Sequence, residues 1–349
     1  MSDDFPVLGS KESKRAPNKN NKPVIVGNNQ KPQQQPKQPF VQQQQQQPQP
    51  PVVAPLQQNK AIVSIADIGA NLADRSFERD LNAVLIKSGN RGVNHVIITG
   101  TSIRSTQKAL EIIGKYKDNV PGGVKLYCTA GVHPHEAERA HPNSIDDLRS
   151  MALKNPGVVV SLGECGLDFD RNFSTPQSQC DMFEKQIQLA IELKMPLFIH
   201  ERAAHRKFVE IVSKYCNAGT MPKSVVHCFT GTRDEVELYL KMGFYIGLTG
   251  VITQQKRGQT LRDILSAKII PLNRLMIETD APYMTPHDMN EEDRQKQPQH
   301  STHGGKQHHQ RNEPAYLTYV LATIATCYGI SLEEAAQHTL NTTKEFFNI

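Results

Sequence analysis

The segment GVVVSLGECGLD, residues 157–168, is the stretch that decides the fold of this chain. Its first half is a short apolar run without polar alternation, which is typical of a strand buried on both faces of a parallel sheet. A carboxylate, Glu164, ends that run, and a second one, Asp168, comes four residues later. The segment therefore predicts a core strand with polar chemistry at its C-terminal end.

Similar apolar runs occur on both sides of this segment. Including it, we predict eight strands, at residues 62–68, 93–99, 125–132, 158–164, 196–200, 224–229, 245–249 and 275–279. Amphipathic stretches predict helices at 102–117, 146–154, 175–194, 204–214 and 233–242, and two further helices, at 315–327 and 332–347, follow a polar loop over 284–311.

Strands and helices that alternate in this way over about 250 residues predict a TIM-type (β/α)8 barrel. The alternative fold is an open Rossmann sheet, which carries a glycine-rich phosphate loop after its first strand. Here the first strand runs into Asp67-Ile68-Gly69-Ala70-Asn71, which lacks that pattern. The sequence therefore favours the barrel.

The first 60 residues differ from the rest in composition. They are rich in Gln, Pro, Asn and Lys, and cannot bury enough apolar surface to offset the entropy of ordering. We therefore predict a disordered tail over residues 1–60 and one folded domain over residues 61–349. Eight basic and three acidic residues give the tail a net charge of +5, which is also the formal net charge of the whole chain. The folded domain is thus neutral, and its bulk charge predicts no nucleic-acid-binding surface.

The cysteine pattern predicts an intracellular protein. The six cysteines are scattered and form no C-x-x-C pair, which is typical of reduced thiols. The start, Met1-Ser2-Asp3-Asp4, lacks the apolar region of a secretory signal, and no apolar stretch approaches the roughly 20 residues of a membrane helix. We expect a monomer in the cytoplasm, with the nucleus as the alternative compartment and no membrane contact.

Polar residues gather at the C-terminal ends of the predicted strands, which is the face on which barrel active sites assemble. Four of them are candidate metal ligands from different strands: Glu164, His200, His227 and Asp280. Two carboxylates and two imidazoles suit Mg²⁺, Mn²⁺ or Zn²⁺. One such residue alone would more often be a hydrogen-bonded core residue. Four on one face, each after an apolar run where an unpaired charge is costly, predict a divalent metal site.

Other polar side chains near this set are candidate contacts to substrate phosphate. Arg202 can meet an anionic oxygen with its planar guanidinium, although a salt bridge would explain it equally well. His133 and His135, after the third strand, could be metal ligands, phosphate contacts or a structural pair.

Arg311 opens the segment Arg311-Asn312-Glu313-Pro314, which we interpret as a helix start with Asn312 as the N-cap. A helix N-terminus at the mouth of the pocket could also hold a phosphate, although capping alone is sufficient to explain the segment. Arg311 is therefore the third candidate phosphate contact.

At these residues the sequence resembles the TatD family of deoxyribonucleases within the metallo-dependent hydrolases. The resemblance covers residues 62–349, and its blocks are DIGANL (67–72), TAGVHPH (129–135), GECGLDF (163–169) with RNF (171–173), HCFTG (227–231), ETDAPY (278–283) and RNEP (311–314). It implies a TIM-type barrel, dependence on a divalent metal, and 3′→5′ exonuclease action on DNA. It also implies that Glu164, His200 and His227 bind the metal with Asp280 beside them.

One departure from the family pattern bears on the metal. Many members carry His-x-His at the end of the first strand, where this chain has Gly69 and Asn71. Without those imidazoles a full two-metal site is in doubt, although Asp67 could be a ligand and Asn71 could offer its amide oxygen. We therefore favour one tightly bound ion, Mg²⁺ before Mn²⁺ or Zn²⁺, with a second recruited by the substrate phosphate.

These features predict a metal-dependent deoxyribonuclease in which Asp280 is the catalytic residue that orients the attacking water or accepts its proton. An intact duplex cannot enter a barrel mouth, so the predicted substrate is single-stranded DNA or a frayed 3′ end, with RNA as an alternative. Two other functions stay open. One is a metal-dependent hydrolase of amides, esters or lactones, since the fold does not fix the reaction. The other is an inactive nucleic-acid-binding protein.

Overall fold

The computed structural model describes residues 63–117, 119–301 and 308–349. The predicted disordered tail, residues 1–60, lies outside this part of the chain. Eight strands form the centre: β1 (Ile65–Ala70), β2 (Val93–Ile98), β3 (Lys125–Ala130), β4 (Val159–Asp168), β5 (Leu197–Arg202), β6 (Ser224–Val226), β7 (Tyr245–Leu248) and β8 (Leu275–Ile277). They pair in consecutive order, and every pairing is parallel. The prediction of a TIM-type barrel is confirmed.

The barrel closes between its last and first strands through main-chain hydrogen bonds. The amide of Asp280 donates to the carbonyl of Gly69 at 2.8 Å, and the amide of Asn71 donates to the carbonyl of Ala281 at 2.7 Å. These bonds lie at the C-terminal ends of β1 and β8. Closure therefore places Asp280 directly beside the end of the first strand.

In the part of the chain that the structure describes, the strands are accompanied by ten α-helices: α1 (Leu81–Asn90), α2 (Ile103–Tyr116), α3 (Ser144–Lys154), α4 (Pro176–Leu193), α5 (His205–Asn217), α6 (Arg233–Lys241), α7 (Gln259–Ser266), α8 (Glu291–Gln295), α9 (Leu317–Tyr328) and α10 (Leu332–Phe347). Side-chain caps set several of the starts. The hydroxyl of Ser102 accepts from the amide of Ser105 at α2, and the hydroxyl of Thr175 accepts from the amide of Ser178 at α4. All seven predicted helices are present.

Helices α1, α7 and α8 and strands β9 (Gln299–Ser301) and β10 (His308–Gln310) were not predicted from the sequence. Helix α1 has only 10 residues and ends in Ser88-Gly89-Asn90, which are weak helix formers, and α7 has only 8 residues. Val84 and Leu85 of α1 are buried, so packing stabilises a helix that intrinsic propensity does not favour. The predicted loop over 284–311 is also wrong in part, because it holds α8 and an antiparallel hairpin of β9 and β10.

The core has an outer and an inner part. The outer part lies between strands and helices. The inner part fills the barrel with alternating apolar side chains, among them Ile68, Phe198 and Met276, and includes Phe346 and Phe347 of α10. Burying each phenylalanine contributes about 1.5–3 kcal/mol to the free energy of unfolding. Helix α10 thus adds to the barrel core.

Within the described residues no single helix is long and apolar enough to span a membrane. The pair Pro314–Tyr328 and Leu332–Phe347 has the length and apolar composition of a membrane span only when its two members are counted together, and they are bent by 109° to each other.

Candidate metal centre

The carboxylate of Glu164 is the point on which three histidines converge. Its Oε1 atom lies 2.8 Å from Nε2 of His227, 3.0 Å from Nδ1 of His200 and 3.2 Å from Nε2 of His133. His133 and His227 follow β3 and β6, and Glu164 and His200 lie in the C-terminal halves of β4 and β5. Because parallel strands of a barrel end on one face, residues far apart in sequence meet there.

Two glycines give the strand around Glu164 its shape. Gly163 and Gly166 have φ angles of 119° and 131°, which favour glycine. A Cβ at Gly163 would collide with the carbonyl oxygen of Phe198, and one at Gly166 with the carbonyl oxygen of His200. The motif GECG therefore lets β4 approach β5 closely while it projects the Glu164 carboxylate into the barrel mouth.

Burial and mutual charge determine the protonation of this cluster. Burial opposes ionisation of Glu164, but the imidazoles of His227 and His133 outweigh it and hold its pKa well below the ordinary value. Burial alone would lower the pKa of His227, yet the carboxylates of Glu164 and Glu278 raise it well above the ordinary value. For His133 burial wins and lowers the pKa to about 4, so this imidazole stays neutral.

A second carboxylate, Asp168, supports two of the histidines. Its Oδ2 atom lies 2.8 Å from Nε2 of His135 and 3.3 Å from Nε2 of His200. Burial opposes its ionisation, but the imidazoles of His135 and His200 lower its pKa below the ordinary range. We predicted no role for Asp168 from the sequence. Its position at the C-terminal end of β4 is the signal that could have pointed to it.

Glu278 is also part of the cluster and was missed by the sequence analysis. It is fully buried, and its Oε2 atom lies 3.4 Å from Nδ1 of His227. Its Oε1 atom accepts a hydrogen bond from the amide of Cys228. His227 is therefore oriented between two carboxylates, those of Glu164 and Glu278. The signal that could have found Glu278 is its position directly after the apolar run of β8.

Asp280 lies beside the cluster. Its Oδ1 atom accepts a hydrogen bond from Nδ2 of Asn71 at 2.9 Å, and its φ of 53° is in the left-handed region, which is unusual for a residue other than glycine. Burial and the charges of Glu164 and Glu278 raise the pKa of Asp280 to about 7, against the opposing effect of His227. A carboxyl with this pKa can accept a proton near neutral pH.

The donor set fits a divalent cation. One ligand atom each from His133, Glu164 and His200 lie within 4.8 Å of one another. Nε2 of His200 is buried, and its contact with Oδ2 of Asp168 at 3.3 Å lacks hydrogen-bond geometry, so this ring nitrogen has no hydrogen-bond partner among the described residues, which is costly. His133 was not among the four metal ligands predicted from the sequence, but it belongs to this group of three with Glu164 and His200. His227 contacts the Glu164 carboxylate, and Asp280 lies alongside.

Comparison with known proteins identifies the family. The sequence profile described as TatD related DNase matches residues 66–348. The chain belongs to this TatD family. A protein of Enterobacter lignolyticus named 3′-5′ ssDNA/RNA exonuclease TatD is 39% identical over 283 residues, which are 81% of this chain and 98% of that protein.

Solved structures of TatD proteins share the fold. A TatD family hydrolase of Entamoeba histolytica is 28% identical, with a TM-score of 0.69 and coverage of 82% of this chain and 99% of that one. A TatD homologue of Escherichia coli is 26% identical, with a TM-score of 0.68 and coverage of 83% and 100%. The predicted family is therefore confirmed, and with it the prediction of a hydrolase of the nuclease class.

Arg202, predicted as a phosphate contact, lies at the edge of the metal centre. It lines a cavity of about 820 Å³ together with Phe169 and Glu201, which directly follow Asp168 and His200 in the sequence. Its guanidinium pairs with the carboxylate of Asp170 at 2.7 Å, and both side chains are exposed. Exposed ion pairs are weak, so this contact leaves Arg202 able to exchange its partner for a phosphate.

Arg311, also predicted as a phosphate contact, lies in a different environment. Its buried guanidinium pairs with Asp80 and Glu313 at 2.6 and 2.8 Å, and none of its contacts joins it to the Glu164 cluster. The predicted N-cap role of Asn312 is wrong, because Glu313 occupies the cap position of the following 3-10 turn. Asn312 instead donates from Nδ2 to the carbonyls of Thr279 and Tyr283 and so fixes the loop that carries Asp280.

The packing around the end of β1 leaves no room for the first histidine of the His-x-His pattern, at the position of Gly69. A Cβ at Gly69 would collide with the Glu278 carboxylate and with the ring of Phe198, so an imidazole has no room there. Asp67 accepts hydrogen bonds from the amides of Thr279 and Gly69 at 2.9 and 3.2 Å, and burial raises its pKa to about 8. These contacts make Asp67 a tether for the end of β8.

Proposed function

We propose that this protein is a metal-dependent exonuclease that removes nucleotides from the 3′ end of single-stranded or frayed DNA, with Mg²⁺ as its metal. The observation that carries the proposal is the convergence of His133, His200 and His227 on the Glu164 carboxylate at the mouth of a TatD barrel. The name of the Enterobacter lignolyticus relative includes RNA, so we extend the proposed substrates to single-stranded RNA.

In this proposal His133, Glu164, His200 and His227 hold the cation. A divalent cation held by these residues would supply Lewis-acid polarisation of a phosphodiester oxygen and would lower the pKa of a bound water. Asp168 and Glu278 keep the rings of His200 and His227 in position through the contacts described above. The buried carboxylates concentrate negative charge at the centre and would repel the phosphate of a substrate. A bound cation would offset this repulsion.

Asp280 is the proposed catalytic residue. Its Oδ1 atom is held by the amide of Asn71, which leaves Oδ2 to orient a water and accept its proton. Arg202 is the proposed phosphate contact on the β5 side, where its guanidinium neutralises charge that builds up on the phosphate. Because the centre lies at the bottom of the mouth, a free strand end reaches it more easily than an internal bond.

One chain supplies every residue of the proposed centre, so we propose that the monomer is active. All six cysteines are free, which supports a reducing compartment, and we propose the cytoplasm.

A metal series tests the proposed function. Purified protein treated with EDTA is expected to leave end-labelled single-stranded DNA intact, and Mg²⁺ or Mn²⁺ is expected to restore hydrolysis. A phosphorothioate at the 3′-terminal linkage is expected to slow the reaction in Mg²⁺, because sulfur replaces an oxygen that a hard cation prefers. Hydrolysis that is equally fast in EDTA would refute the metal requirement.

Removal of residues 1–59 is expected to leave turnover on short oligonucleotides unchanged, because the proposed centre draws on residue 133 and later positions. The shortened protein, which starts at Lys60, is expected to bind long DNA more weakly at low salt, since most of the +5 charge of the tail is gone. The measurement is the hydrolysis rate of a short oligonucleotide beside the salt dependence of binding to long DNA. A shortened protein that fails to fold would contradict the proposed domain boundary.

A further inference from the structure

Two exposed aromatic side chains lie around the metal centre. Four large hydrophobic side chains are exposed in the described part of the chain, and the aromatic ones are Phe173 and Tyr283, at 57% and 39%. Tyr283 follows Asp280 by three residues, and its amide donates to the Asp280 carbonyl at 2.9 Å. Exposed apolar rings beside a polar centre point to a ligand that has apolar faces of its own.

The ring of Phe173 packs on the histidine network of the centre. Its centroid lies 4.8 Å from that of His135, and the two rings are nearly perpendicular at 72°. His135 contacts Asp168, and Asp168 in turn contacts His200. Phe173 is therefore separated from a proposed metal ligand by only two intervening side chains.

The loop that carries Phe173 is fixed. Two of its amides donate to Oδ1 of Asp168 at 3.0 and 3.1 Å, and Asn172 turns the chain with a φ of 49°, a conformation that asparagine tolerates. On the other side the Ser174 hydroxyl donates to the carbonyl of His135 at 3.0 Å. The hydrogen bonds on both sides hold the ring in an exposed position, so its exposure is built into the loop.

The surroundings of the second ring show that a cation lies in the same region. Burial, together with the carboxylates of Asp74 and Asp280, raises the pKa of the Tyr283 hydroxyl to about 12, and the charge of Arg171 opposes this rise. Arg171 precedes Phe173 by two residues. A cation near exposed aromatic rings is the combination with which proteins bind single-stranded nucleic acid.

We propose that Phe173 is the platform on which the terminal nucleobase of a single strand stacks while the adjacent phosphate reaches the metal centre. This inference rests on the proposed nuclease function and adds the group that recognises the strand end. Every nucleobase has a π-face, so the platform explains binding without sequence preference. A paired base inside a duplex is already stacked on its neighbours, so the platform also explains a preference for single-stranded or frayed ends.

Binding of a single strand with a 3′-terminal 2-aminopurine tests the platform, with phosphorothioate linkages to slow cleavage and Mg²⁺ present. Stacking on Phe173 is expected to quench the fluorescence of the terminal base. Phe173→Leu keeps apolar volume against His135 but removes the π-face. It is expected to abolish the quenching and weaken binding by about tenfold or more. Phe173→Tyr is expected to retain both, and Leu153→Ala, an exposed apolar residue on α3, is the matched control.

A strand whose 3′-terminal nucleotide is abasic provides a test that needs no variant. Wild-type protein is expected to bind it about tenfold more weakly than the complete strand, and Phe173→Leu is expected to bind both alike. Equal binding of the two strands by the wild type, with undiminished quenching in Phe173→Leu, would overturn the platform. If the protein with this outcome still cleaves single strands, the stacking on Phe173 is refuted but the nuclease function is not. Failure of the wild type to cleave any strand would refute the nuclease function.

Discussion

The substitution Glu164→Ala is expected to reduce hydrolysis of single-stranded DNA by about a thousandfold or more, because loss of a metal ligand removes several kcal/mol of charge stabilisation from the transition state. Among the described residues, Glu164 is the one that contacts all three histidines of the centre. Its removal takes away the anionic ligand and leaves the imidazoles facing one another. The measurements are the initial rate at fixed Mg²⁺ and the rise in melting temperature that Mg²⁺ produces.

The melting temperature separates loss of the metal from loss of the fold. A cation that binds only the folded protein stabilises it, so wild-type protein is expected to melt at a higher temperature in Mg²⁺ than in EDTA. The Glu164 variant is expected to melt cooperatively but without this difference. Glu237→Ala on α6, where the exposed carboxylate pairs only with Arg233, is the matched control and is expected to behave as wild type. Hydrolysis that persists unchanged in the Glu164 variant would rule out the proposed centre.

The substitution Asp280→Asn is expected to separate catalysis from metal binding. Asparagine keeps an oxygen that can accept the hydrogen bond from Nδ2 of Asn71, but it cannot accept a proton from water. Turnover is therefore expected to fall by roughly a hundredfold to ten-thousandfold, the range for loss of a general base. Stabilisation by Mg²⁺ is expected to remain. The measurements are kcat at saturating single-stranded DNA and the melting temperature with and without Mg²⁺.

Asp263→Asn, at an exposed position on α7, removes the same charge away from the centre and is expected to leave kcat unchanged. A variant of Asp280 that loses both turnover and the Mg²⁺ effect would make this residue a metal ligand. Retention of full turnover would show that another group handles the proton.

The barrel could be predicted from the sequence because its strands are continuous apolar runs whose pattern does not depend on distant contacts. The same reasoning selected Glu164, His200, His227 and Asp280 as candidates, since each lies at or shortly after the end of such a run. Helix α10 was predicted at residues 332–347, and the structure shows that Ser331 caps its start. These features are local, and the barrel topology brings them to one face.

The supporting residues could not be assigned because their roles depend on partners far away in the sequence. Asp168 contacts the ring of His200, and Glu278 contacts the ring of His227, both on other strands. Asp67 accepts a hydrogen bond from Thr279, which lies 212 residues later in the sequence. The environment of Arg311 is set by Asp80, 231 residues earlier. A one-dimensional pattern reveals a polar residue at a strand end, but only the closed barrel shows which neighbour it meets.

The direction of hydrolysis on a labelled single strand tests the central claim most directly. With Mg²⁺ and a 5′ label, the account predicts a ladder that shortens one nucleotide at a time. With a 3′ label, it predicts early release of labelled mononucleotide. Internal fragments that appear first would contradict a centre that receives strand ends. The absence of cleavage in Mg²⁺, Mn²⁺ and Zn²⁺, together with turnover of a lactone or an amide, would contradict the nuclease function itself.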